Sequence, residues 1–329
     1  MVRFVIKRLL MLIPVLLGIS LVVLILIDVT PGDPARMMLG AQATQEQVNA
    51  LREELGLNDP LPVRYGRFIW QLLHGDLGTS LMTKRPVATE MWERFPYTLT
   101  LVVLGTTLSV LIGIPIGIYA AVHQRTWKDN TAIFLALISV SMPSFWFALL
   151  LIRFFGVYLG WLPVSGVDDW KGWVLPSVAM ALGLTALIAR QMRSDMLEVL
   201  RQDFITTARA KGLSERRVVY RHALKNAMIP VIMVIGGIFG VMLGGSLITE
   251  VIYSIPGLGQ YIMTALYNRD YPVIQSGILV VSGMFAVIIL IVDVIFALVD
   301  PRIRSQYTRK EKRKAGRQLA KETKTVETT

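Results

Sequence analysis

Six stretches of this chain, residues 9–29, 97–122, 132–159, 173–190, 228–249 and 276–299, are apolar almost without interruption. A helix needs about 20 such residues to cross the hydrocarbon of a bilayer. Lipid offers backbone N–H and C=O groups no partner, so each run must be helical; their length and lack of alternation exclude strands. Hydrophobic residues make up 53% of the chain and charged ones only 17%. With the apolar residues gathered in runs rather than at amphipathic spacing, that composition belongs to an all-α polytopic membrane protein and not to a soluble domain.

Several chemistries are excluded early. The chain has no cysteine, so disulfides, thiolate nucleophiles and Cys-based metal sites are ruled out. The histidines His74, His123 and His222 are scattered, without the spacing of a metal-binding helix. The first apolar run follows Arg3, Lys7 and Arg8 and precedes a small-residue triplet, Ala41-Gln42-Ala43, like a secretory leader. Its apolar core is too long and the triplet too far downstream, so the expectation is an uncleaved first span.

The net charge of +11 would suggest nucleic acid in a soluble protein. Here most of the basic residues fall before residue 9, at 123–130, at 190–225 and after 300, segments that share one side if the chain crosses six times. The positive-inside rule puts that side, and both termini, in the cytoplasm. The tail 301–329 is basic, mixed in charge and without a periodic face; it is expected to be disordered near anionic headgroups rather than to bind nucleic acid. No internal repeat is visible. Residues 1–30 hold the N-terminus and first span, 31–96 an outward helical excursion, and 97–300 the membrane core with a cytoplasmic loop at 191–227.

In the excursion, Thr44 and Gln47 form a capping box for a helix ending at Gly56. A second helix is expected at 61–73, and a third from Pro86 to about Arg94. The three could be a lid over lipid or a dock for something arriving from outside. Three charges interrupt the spans: Asp28, Arg153 and Asp293. Charge inside a membrane is a functional hypothesis by default, against the plainer reading of an interhelix or interfacial contact. Asp28 and Arg153 lie near the outer ends of their spans and could pair or snorkel, whereas Asp293 lies near the inner end of the last.

The basic loop carries the most specific chemistry. Asp203 is expected to cap a short helix stopping at Gly212, and Ser214 a second one leading into the fifth span. The result is an elbow. Thr206, Thr207, Ala208 and Ala210 give it a small-residue surface that a partner's cleft can approach, ringed by Arg209, Lys211, Arg216, Arg217 and Arg221.

This segment resembles the EAA loop of importer-type ABC permeases. Aligned on Gly212, Thr206-Thr207-Ala208 stand for Glu-Ala-Ala, His222 for the later Ile and Leu224-Lys225 for Leu-Pro. The departures match the peptide-permease branch, typified by TARAKGLSE followed by RHALKNAMIP. Other segments agree in order: VIKRLLMLIPVLLGIS, PGDPAR, GDLGTS, RPVATEMWERFPYTLTL, GWLPVSG, LPS, PGLGQ, RDYPVIQ and VDVIFALVDPRIR. Over residues 1–307 the chain is similar to the B-type permease subunit of dipeptide and oligopeptide ABC importers.

The resemblance implies a type I importer permease in a bacterial or archaeal cell membrane. It would pair with a homologous second permease, receive solute from an extracytoplasmic binding protein and dock two ABC ATPases. The chain has no phosphate-binding G-x-x-x-x-G-K-[ST] loop, so ATP and Mg would be used by the partners, with no cofactor or metal held here. Thr206, Thr207, Ala208, Ala210 and Gly212 would form the coupling surface, with Arg209 and Lys211 steering. The pairs Gly236-Gly237 and Gly244-Gly245 would allow close helix packing or a flexible gate, and the turn Pro256, Gly257 and Gly259 part of the outer mouth. Cargo stays open among peptides, nickel, metal chelates, glutathione and opines. An ion-gradient transporter ranks below, because it should show interrupted helices and mid-membrane ionisable groups, and a membrane-embedded enzyme lower still.

Overall fold

The computed structural model describes residues 2–29, 32–40 and 42–299, and among these every regular element is a helix. The basic tail lies outside the described residues. Helix α1, Val2–Val29, is the first span. It is followed by the short helices α2, Pro34–Leu39, α3, Gln45–Glu54, and α4, Leu61–Leu73. The capping box of α3 is present in full, with Thr44 Oγ1 accepting from the Gln47 N–H and the Gln47 side chain accepting from the Thr44 N–H. Gly56 ends that helix at φ +63°.

The expected third excursion helix does not exist separately. Pro86 occupies the N-cap of α5, Val87–Val122, which runs unbroken for 36 residues through Pro96 and Pro115. The turn from Thr79 to Pro86 starts it, and the helix runs on past Arg94 without a break. The expected third span is bent rather than straight. Helices α6, Trp127–Ser141, and α7, Ser144–Leu151, meet at a 98° bend, and α7 continues as a π-helical turn over Ile152–Tyr158. Pro143 causes the break. It has no N–H to continue α6 and pushes Met142 into extended backbone at φ −88°, ψ 124°.

Helix α8, Val174–Leu200, runs well past the apolar stretch read from sequence. Then come α9, Asp203–Ala210, and α10, Glu215–Arg217, which passes through a π-helical turn, Val218–Ala223, into α11, Leu224–Tyr253. Helices α12, Leu258–Asn268, and α13, Tyr271–Val299, complete the bundle. Among the described residues five helices are long and apolar enough to span, and the bent pair α6–α7 makes a sixth if counted as one.

The closest packing joins α5 to α8, and its cause is a row of small residues one turn apart on α5: Gly105, Ser109, Gly113 and Gly117. A Cβ on Gly113 would sit 2.8 Å from the Thr185 carbonyl oxygen, and one on Gly117 2.5 Å from that of Ala189. Only glycine lets these backbones meet so closely. Ser109 adds a hydrogen bond to the Ala181 carbonyl, 3.2 Å. The spacing was present in the sequence; the reading of spans alone passed over it.

Candidate functional site

The elbow projects from one end of the bundle. Helix α9 ends in a doubly bonded turn, with Gly212 N–H donating to the Arg209 carbonyl (2.9 Å) and Leu213 N–H to that of Ala208 (3.4 Å). That closure needs Gly212 in the left-handed region, where it stands at φ +75°. The expected side-chain caps are absent. Gln202 holds the N-cap position, Asp203 is the first helical residue, and Ser214 caps α10 through backbone only. A carboxylate in the first turn still favours the helix N-terminus electrostatically.

The elbow is fixed from below. Ile205 and Ala208 are buried against Val218, Val219 and Ala223, so Ala208 belongs to the core and not to the exposed small surface. Thr206, Thr207, Ala210, Lys211 and Gly212 are exposed. Arg209 has a structural partner within the elbow. Its Nε and Nη2 reach both oxygens of Glu215, at 3.1 and 2.7 Å, bracing the two arms across the glycine. The arms continue into α8 and α11, so whatever presses on the elbow presses on two spans.

At the opposite end, motifs far apart in sequence converge on three buried carboxylates, Glu90, Glu250 and Asp270, none more than 2% exposed. Charge so buried requires partners, and each has them. Asp270, in RDYPVIQ, accepts from the Ser80 hydroxyl (2.5 Å) and from the N–H groups of Leu81 (3.0 Å) and Met82 (3.3 Å), just past GDLGTS. Glu250 accepts from Thr98 Oγ1 (2.8 Å) and the Gln260 N–H (3.0 Å). A Cβ on Gly257 would lie 2.4 Å from the Glu250 carboxylate, and one on Gly259 2.5 Å from the Leu247 backbone. The turn Pro256 to Gly259 therefore wraps a carboxylate; its glycines serve close approach. Glu90 accepts from Tyr261 and from Thr83 (3.1 Å), with Arg85 and Arg94 nearby at 3.7 and 3.9 Å. Burial, and then that hydrogen bond, push the Tyr261 phenol well above its usual range, so it stays a donor.

The comparisons with known proteins bear on this architecture. Residues 113–305 match the family described as binding-protein-dependent transport system inner membrane component, and residues 1–102 match that family's N-terminal segment. The chain is 43% identical to the dipeptide transport system permease protein DppB of Alkalihalophilus pseudofirmus, over 92% of this chain and 100% of that one. It is equally identical, 43%, to the glutathione transport system permease protein GsiC of Salmonella paratyphi A, over 92% and 99%. The chain belongs to this permease family. It is thus a multi-pass inner-membrane subunit of ABC importers. In fold it resembles the inward-facing MetNI methionine ABC transporter, with TM-scores of 0.57 and 0.53 in two crystal forms at 19% and 20% identity, covering 64% and 65% of this chain and 96% of that one.

Within the permease the three intramembrane charges separate. Asp28 does not meet Arg153. It pairs with Arg64 of α4 at 2.5 Å, because α4 lies against α1. Asp293 pairs with Arg8 at 2.9 Å, tying the first span to the last. Arg153 is exposed, on the π-helical turn, and forms no ion pair among the described residues. Two further charges escaped the reading by sequence: Asp129 and Arg193 meet in a bidentate pair, both contacts 2.6 Å, joining α6 to α8. No group of His, Asp and Glu suited to a metal ion occurs among the described residues.

The five glycines of α11 also divide. A Cβ on Gly236 would meet Val292 at 2.2 Å, and one on Gly240, a turn later, would meet Phe285 at 2.7 Å. That pair packs α13. Gly237, Gly244 and Gly245 have nothing within 4 Å of a built Cβ, and with Val241 and Ile248 they form an open face.

Proposed function

We propose that this permease forms the translocation pathway of an ATP-driven importer of dipeptides or oligopeptides together with a homologous second permease. Solute arrives from an extracytoplasmic binding protein. The energy comes from two ABC ATPases, which bind ATP and Mg and grip the elbow through Thr206, Thr207, Ala210 and Gly212, with Lys211 steering. Both termini and the elbow then face the cytoplasm, and the excursion 31–96 faces outward. The observation that carries this reading is the elbow itself: an exposed small-residue projection, braced by Arg209 and Glu215, joined to α8 by the two-residue turn 201–202 and running on into α11. A rigid projection of this kind transmits a two-state motion.

Glutathione, itself a small peptide, is the second reading of the cargo, favoured by the equal 43% identity to the dipeptide and glutathione permeases. Uptake of labelled dipeptide and of labelled glutathione by cells carrying the whole system separates the two. For the coupling surface the test is Gly212→Arg, which obstructs the bend and the cleft. Pulled down from detergent-solubilised membranes, the variant should keep the second permease and lose both ATPases. Normal uptake by the variant would refute the coupling assignment.

A further inference from the structure

Helix α4 sits lower along α1 than a helix in an outer loop should. The Tyr65 hydroxyl donates to the Leu17 carbonyl of α1, 2.8 Å, and lies 3.2 Å from Ser20 Oγ. The next residue up, Arg64, reaches Asp28 near the end of the same span, 2.5 Å. Between Arg8 and Asp28 the side chains of α1 are uncharged, so these two charges bracket the hydrocarbon level. At 1.5 Å per residue, Ser20 lies about 12 Å inside the Asp28 boundary, and the Tyr65 hydroxyl with it. Helix α4, 13 residues and about 20 Å long, is too short to span, so it must lie along the membrane.

Its faces sort accordingly. Leu61, Tyr65, Phe68, Ile69 and Leu72 share the side toward α1 and are partly covered. Arg64, Arg67 and Gln71 share a second side, on which Arg64 extends to the boundary. On the third side Val63, Trp70 and Leu73 are bare, exposed at 50, 66 and 76%. No residue of the helix is fully buried. An apolar side left bare at hydrocarbon depth, with the polar side turned to the boundary, is the arrangement of a helix lying in the interface.

We propose that α4 is immersed in the leaflet at the excursion end of the bundle, with Val63, Trp70 and Leu73 against phospholipid acyl chains, Arg67 and Gln71 at headgroup level, and Arg64 and Tyr65 pinning it to α1. This separates α4 from the rest of the excursion, which is free to meet water or a soluble partner. The inference rests on α1 being a span and not on the cargo or on which compartment the excursion faces.

The chain has no cysteine, which makes the test direct. Nitroxide labels at single substitutions Trp70→Cys, Leu73→Cys and Gln71→Cys would be measured in the complete importer in phospholipid nanodiscs, with the unsubstituted assembly as background. Collision with oxygen should exceed collision with a water-soluble nickel chelate severalfold at 70 and 73, and the order should reverse at 71. Nickel access at 70 and 73 would place the face in water and overturn the proposal. Shielding from both reagents would mean that protein, such as the second permease, covers it, and would overturn the proposal equally. Either failure would leave peptide uptake and ATPase pull-down unaffected, so the importer reading is tested separately.

Discussion

Removing the Asp270 carboxylate should release the segment after GDLGTS from the bundle, by an amount the geometry fixes. In Asp270→Ala the Ser80 hydroxyl and the N–H groups of Leu81 and Met82 all lose their acceptor at once. A lost hydrogen bond to a charged group costs about 1.5–3 kcal/mol, less where water can enter the gap. Taking about 1 kcal/mol for each of the three donors as a lower bound gives roughly 3 kcal/mol. What remains is a small turn closed by the bonds Ser80 N–H to Arg85 O and Lys84 N–H to Ser80 O and tied to α5 by Thr83 on Glu90 and Arg85 on Glu93, with Lys84 exposed and at φ +57°. The cost should therefore appear as local opening rather than global unfolding. Limited trypsin digestion reads it, because cleavage at the Lys84–Arg85 bond follows the population of the open form. About 3 kcal/mol predicts roughly a hundredfold faster cleavage. Asp270→Asn keeps one oxygen acceptor and should show roughly a tenfold rise. If Asp270→Ala folds and is cut at that bond no faster than the parent, the carboxylate is not what holds the segment, and the account of the end-loop cluster fails.

Other positions give sharper contrasts. Gly117→Leu should cost the solubilised subunit roughly 3 kcal/mol, since its Cβ meets the Ala189 backbone at 2.5 Å, while Gly237→Leu, with nothing within 4 Å, should leave its melting temperature unchanged. Arg193→Ala strands the buried Asp129 carboxylate and should cost about 2 kcal/mol, allowing for Arg193's partial exposure; Arg193→Lys, which cannot bind both oxygens alike, should recover only part of it in the same melting assay. Arg8→Asp and Asp293→Arg should each lower the amount of subunit in the membrane, and the double exchange should restore it, as immunoblots of membrane fractions would show.

The features legible in sequence are those whose physics is local. Apolar length marked the spans, the Thr44 and Gln47 pair marked the start of α3, and Gly212 marked the bend. Even there the reading stopped at what local rules contain. Residues 132–159 are apolar but for Arg153 and three serines, so hydropathy joins them, whereas Pro143 divides them by 98°. The hydropathy of α8 falls away after residue 190, yet the helix continues to Leu200 because Met192 and Met196 remain buried and Arg193 finds Asp129 on α6. Asp203 and Ser214 have the right chemistry for caps, but the elbow's closure is carried by backbone and by Arg209 with Glu215, and neither cap bond forms.

The carboxylates were illegible for a different reason. Glu90, Glu250 and Asp270 take donors up to 190 residues away in sequence, such as Ser80 for Asp270, and no period or spacing encodes such a pairing. What the sequence did carry was their surroundings: the acid stands inside or beside a motif in each case, RPVATEMWERFP, the PGLGQ turn and RDYPVIQ. Glycine at 257 is explained only once the Glu250 side chain is seen to occupy the space a Cβ would need, and glycine at 259 once the Leu247 backbone is seen to lie there. Removing the acid and enlarging the glycine should therefore be coupled. Gly257→Ala ought to cost much less in a Glu250→Ala background, where the clashing carboxylate is gone, than in the parent chain. If the two costs simply added, the glycines would be serving the turn's backbone and not the carboxylate beneath it.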